Sequence, residues 1–107
     1  MKKLLLIIPM FCSVLAFGQM KAIHFNAEWN EANDVSWFKK LSDVKKERMD
    51  VGRGNCQAKY KIAVVPTIII FKDGEEIKRF QADLSFKMLA KLEEVQEAID
   101  DMIMSDF

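Results

Sequence analysis

The chain has 107 residues, half of them apolar and 30% charged, which fits one globular domain and leaves no room for two. Its 16 basic and 16 acidic side chains cancel, so no overall field draws it to nucleic acid or an anionic membrane, and no Lys/Arg block interleaved with aromatics marks a nucleic-acid face. One histidine and two cysteines are too few for a Cys/His metal cluster.

Residues 1–18 read as a secretory signal peptide, with the domain over 19–107. Lys2 and Lys3 form a positive n-region, Leu4 to Ala16 is an apolar run, and Ala16-Phe17-Gly18 sets small residues for a cut before Gln19. The run falls short of the about 20 residues of a membrane span. An uncleaved N-terminal anchor is the alternative. Cys12 suggests a lipidated cysteine, but Phe11 precedes it where a small residue is wanted. The expectation is an exported protein, periplasmic or secreted, with no membrane attachment after cleavage. Cleavage leaves Cys56 as the lone cysteine. No internal disulfide is then possible, and stability rests on packing.

Lys21 to Ala27 alternates loosely and predicts a strand. Glu28 to Asn33 reads as a loop. Asn33 or Asp34 caps a helix over 34–42, where Val35, Phe38 and Leu41 recur at helical spacing. Lys45 to Val51 is a weak strand, and Gly52 and Gly54 punctuate a turn after it. Asn55 caps a short helix through Tyr60, with Cys56 and Tyr60 on one face. Thr67 to Phe71 (TIIIF) is the strongest strand signal. Asp73-Gly74 centres a hairpin turn, and Glu76 to Phe80 returns. Ser85 caps a last helix whose stripe is Met88, Leu92, Val95, Ile99 and Met102 or Ile103. The order β-α-β-α-β-β-α predicts a parallel first pair and an antiparallel hairpin. Together they form an α/β mixed four-stranded sheet flanked by helices.

Five segments in register resemble the thioredoxin family. Phe25-Asn26-Ala27-Glu28-Trp29 resembles the F-W-A-E-W that precedes C-G-P-C. Lys59-Tyr60-Lys61-Ile62 resembles K-Y-G-I. Val64-Val65-Pro66-Thr67 resembles the I-P-T loop, Phe71-Lys72-Asp73-Gly74-Glu75 resembles F-K-N-G-E, and Leu84-Ser85 matches L-S. The resemblance implies a thioredoxin fold without the family's extra N-terminal strand. It implies a cis Val65–Pro66 bond beside a groove for extended polypeptide. The departures fall on the chemistry. Asn30-Glu31-Ala32-Asn33 stands where C-G-P-C is expected, and an amide is neither a nucleophile nor a redox group. His24 takes the place of the family's buried acid, Asn26 that of its first tryptophan, and Ala82 that of a glycine that admits substrate backbone.

Cys56 is the one residue outside the motif able to act as a nucleophile. The plainer reading is a small apolar core residue. His24 reads as a satisfied strand histidine, and Glu28 and Glu31 as exposed loop acids with no substrate pocket or partners to make them an acid/base pair. Trp29, Asn30, Asn33, Val65 and Pro66 are the candidate binding residues, with a relic surface as the alternative. No catalytic residue, metal or cofactor is expected. Two functions follow: a non-catalytic binding or scaffold domain that holds an extended polypeptide or a partner protein near Trp29 and Pro66, or an oxidoreductase acting through Cys56.

Overall fold

A computed structural model describes residues 19–105; the expected signal segment lies outside them. Four strands form one sheet in the order β2-β1-β3-β4: β1 Met20–Asn26, β2 Lys45–Asp50, β3 Thr67–Lys72 and β4 Glu75–Gln81. β1 pairs parallel with β2 and antiparallel with β3, and β3 pairs antiparallel with β4. This is the mixed sheet that the element order predicts. Asp73 and Gly74 both take positive φ, 52° and 88°, the conformation a two-residue hairpin needs to match the strand twist.

Alternation along β1 and β3 divides the core between two faces. Met20, Ala22, Ile68 and Ile70 pack on one side with Val35, Phe38 and Leu41 and with Val95 and Ile99 of the last helix. Ile23, Phe25 and Ile69 pack on the other with Ile62 and Val65, joined by Tyr60, Cys56 and Phe71. Because β1 and β3 are central and covered on both sides, they carry the apolar runs. The edge strands β2 and β4 stay charged and largely exposed.

The helix expected over 34–42 is absent. Only one 3-10 turn, Phe38–Lys40, stands within it, while a longer one, Glu28–Asn33, fills the segment read as a loop. Asp34 is extended at ψ 143° and Leu41 at ψ 140°. Short polar side chains compete with helical backbone bonds, and here Asn26, Asn30, Asn33 and Asp34 bond one another or nearby backbone. Val35, Phe38 and Leu41 still reach the core. Lys46 holds the second turn by donating to the carbonyls of Lys39 and Leu41 at 2.8 and 2.7 Å.

Helix α1 spans Cys56–Tyr60; Asn55 stands at its N-cap position without a capping side-chain bond. Helix α2 spans Leu92–Met104 and begins well after Ser85. The Ser85 hydroxyl donates instead to Asp83 Oδ1 at 2.6 Å, and Phe86 takes φ 65°, which stops a right-handed helix. Lys91 opens α2, its N–H donating to the Glu94 carboxylate at 3.3 Å. Gln96 ties α2 to Ser42 by a paired bond, accepting from its N–H at 2.9 Å and donating to its carbonyl at 3.1 Å.

Candidate functional site

The first 3-10 turn leaves the C-terminal end of β1 and carries Asn30 and Asn33, the two positions where the resemblance leads one to expect cysteines. Asn30 is only 5% exposed. Its amide nitrogen donates to Asn26 Oδ1 at 3.1 Å and to the Phe86 carbonyl at 3.2 Å. Its amide oxygen accepts from Asn33 Nδ2 at 2.8 Å. Asn26 is fully buried, and its hydrogen-bonding capacity is used in full. Its oxygen also accepts from the Ala27 N–H at 2.9 Å. Its nitrogen donates to the Asn30 carbonyl at 3.1 Å and to Asp34 Oδ1. Asp34 closes the chain through a bidentate pair with Arg48, at 3.0 and 3.1 Å. Burial works to raise the Asp34 pKa, but the bonds from Arg48 and Asn26 outweigh it and hold the carboxyl below its usual range.

His24 lies on the same face of β1, buried beside Phe38 at 5.3 Å between ring centroids. Its Nε2 accepts the Val35 N–H at 3.4 Å. Burial pushes its pKa down to about 4, assisted by Arg48 and opposed by Asp34. It is therefore a neutral acceptor at neutral pH.

Trp29 points the other way and is 69% exposed. Its ring and that of Phe86 form a T-shaped pair, with centroids 5.1 Å apart and planes at 87°, a favourable aromatic geometry. Phe86 thus touches the turn twice, with its ring on Trp29 and its carbonyl on Asn30. Asp83 shapes the segment around it, accepting from the Ser85 and Lys87 N–H groups at 2.8 and 3.2 Å. Leu84 and Leu89 of the same segment are exposed.

The Val65–Pro66 bond is cis. Both residues are buried, and the Pro66 carbonyl accepts the Ala82 N–H at 3.0 Å. Of the five candidate binding residues, Trp29 offers a broad surface and Asn33 a partial one. Asn30, Val65 and Pro66 are interior. Phe86 and Arg48 belong to the site and were not singled out in the sequence, and Asp34, which also belongs to it, was read only as a helix cap. Phe86 falls inside the expected helix, so nothing marked it. The run of short polar side chains at 26, 30, 33 and 34 was the available signal for the network.

An open cleft of about 570 Å³ lies between this turn and α1, lined by Glu28, Glu31, Arg48, Met49, Arg53 and Cys56 among others. The acids share it with two arginines. Cys56 is half-buried with its Sγ 4.0 Å from Met49 Sδ. Burial raises its thiol pKa, Asp50 raises it further, and Lys59 only partly offsets them. Reactive thiols carry the opposite shift. No group of His, Cys, Asp and Glu among the described residues is placed to hold a metal ion.

No family model and no curated protein matches the chain. Solved structures do. Fasciola hepatica thioredoxin is 23% identical at TM-score 0.58, over 81% of this chain and 84% of its own. A mutant thioredoxin from Halobacterium salinarum is 18% identical at TM-score 0.63, over 80% and 76%. Reduced Schistosoma mansoni thioredoxin is 24% identical at TM-score 0.62, over 79% and 80%. The chain has a thioredoxin-like fold.

Proposed function

We propose that this thioredoxin-like chain is an exported, non-catalytic domain that binds an extended polypeptide or partner protein on the Trp29–Phe86 surface. One observation carries the reading. The side chain at the nucleophile's position is the buried amide of Asn30, bonded to Asn26, Asn33 and Phe86, while its neighbour Trp29 stays exposed. Buried amides with satisfied bonds fix a backbone. An exposed aromatic held by a second aromatic is a suitable anchor for a peptide.

The test titrates a carboxymethylated, unstructured polypeptide into the full chain carrying Trp37→Phe, so that Trp29 alone reports. A saturable fluorescence shift, weakened by Phe86→Ala, is expected, together with no disulfide reduction above background. An unchanged Trp29 signal overturns the binding role. Appearance of Gln19 as the N-terminus of exported protein is the expected sign of processing; protein retained in the cytoplasm counts against export.

One observation favours an oxidoreductase acting through Cys56: the thiol lines an open cleft beside Arg53. Its raised pKa opposes this. Disulfide reduction by the full chain that disappears in Cys56→Ser would establish it over the first reading.

A further inference from the structure

At the end of the sheet opposite the Asn30 turn, Lys45, Lys21 and Phe71 fall in one row across β2, β1 and β3. The row lies on the face that α1 covers, and α1 reaches only its Phe71 end, through Tyr60. Five residues give about 7.5 Å of helix, against roughly 23 Å for the seven residues of β1. Tyr60 ends α1 over Phe25 and Phe71, at 4.9 and 5.9 Å between ring centroids. Beside Tyr60 lies an open cleft of about 700 Å³, lined by Lys21, Ile23, Lys45, Lys59, Tyr60 and Phe71 with the hairpin turn at its rim.

The floor of this cleft is aromatic and aliphatic, and its walls are cationic. Lys21 pairs with Glu47 at 2.9 Å, and the same carboxylate also senses Lys45, so one acid stands between two ammonium groups. The Lys59 ammonium lies 5.3 Å from the centre of the Tyr60 ring. On the rim, Asp73 is engaged by the Gln19 backbone N–H at 3.2 Å. Lysine charge therefore exceeds carboxylate charge around two half-buried rings. The volume suits a small ligand, for which clefts of roughly 300–1,000 Å³ are usual.

We propose that this cleft binds a small planar aromatic anion, its ring lying on Tyr60 and Phe71 and its carboxylate, sulfonate or phosphate pairing with Lys45 and Lys59. The ring supplies the buried area and the anion supplies orientation. A cation meets like charge, and a neutral ring leaves the two lysines unused. The site is separate from Trp29, so it stands or falls independently of the polypeptide surface.

The experiment titrates naphthoate into the full chain and follows backbone amide resonances by NMR, with naphthamide as the uncharged isostere. Saturable shifts gathered at Ile23, Tyr60 and Phe71 are expected, with naphthamide clearly weaker. Lys45→Glu combined with Lys59→Glu, both at exposed positions, should weaken naphthoate by about tenfold or more and leave naphthamide unchanged. Absence of saturation overturns the site, as do equal binding of the two probes, undiminished binding by the double variant, or shifts gathered at Trp29.

Discussion

Asn30 turns a position of expected chemistry into one of structure. Removing its side chain strips a partner from Asn26, from Asn33 and from the Phe86 carbonyl. A buried polar group left without its partner costs about 1–3 kcal/mol. Asn30→Ala should therefore lower the unfolding free energy by about that amount in urea denaturation, and Asn26→Ala should do so by at least as much. The double variant should lose less than the sum, since the two residues share bonds in one network. Additive losses would mean that the two amides act separately.

His24 gives the pH dependence. Its folded pKa is about 4, below the about 6.5 of an unperturbed histidine, because burial disfavours the charged ring. The unfolded chain thus takes up a proton at a pH where the folded chain does not. The His24 contribution is fully present above pH 6.5 and is lost as pH falls toward 4. That amounts to about 3 kcal/mol across the window. Urea midpoints measured from pH 7 to 4.5 should fall, and His24→Leu should flatten the part of that fall between 6.5 and 5. An unchanged slope in the variant would assign it to the carboxylates instead.

At the scale of elements, the strands were legible and the first helix was not. TIIIF and the alternation of β1 are carried by side chains that fit a covered sheet whatever surrounds them. The spacing of Val35, Phe38 and Leu41 reports only that three side chains face one way, and a tight turn from Val35 into the 3-10 turn at Phe38–Lys40 satisfies it as well as a helix does. The Asn and Asp side chains decided between the two, through partners on β1 and β2 that local sequence does not reveal. The start of α2 failed differently. Lys91 is no usual capping residue, whereas Ser85 is, but Asp83 had already claimed its hydroxyl. The pairing of Phe86 with Trp29 was hidden for the same reason.

Helix α1 is short enough to depend on help from a strand. Arg79 of β4 donates to the carbonyls of Lys61 and Tyr60 at 2.9 and 2.8 Å, where the chain leaves the helix with Lys61 in the left-handed region at φ 53°. It also pairs with Glu76 at 2.8 Å. The carbonyl bonds are the valuable ones, because they satisfy helix-end acceptors with a charged donor. Arg79→Ala should cost about 1–2 kcal/mol, and Glu76→Ala, which breaks only an exposed pair, less than about 0.5 kcal/mol. Hydrogen exchange at Tyr60 and Ile62 should quicken in the first variant alone. Equal effects would place the stabilisation in the ion pair.

For the whole molecule, β2 is an edge of the sheet among the described residues. An open edge invites a second copy to pair. The sequence of β2, Lys45-Lys46-Glu47-Arg48-Met49-Asp50, resists that geometrically. In an antiparallel two-fold pairing, opposite residues must share a face, so the axis passes through one residue and sets it against its own copy. Lys45, Lys46, Glu47, Arg48 and Asp50 at the axis each bring like charges together, which is destabilising in a cross-strand pair. Met49 alone escapes, with Arg48 opposite Asp50, but the strand ends one residue later and the overlap is too short to hold. The protein is expected to sediment as a monomer at about 100 μM, where weak edge pairing would show. Replacing Lys46 and Arg48 with threonine and Glu47 with valine removes the repulsion and should produce a concentration-dependent dimer. A native dimer cross-linked through β2 would mean that some other contact overrides the charges along this edge.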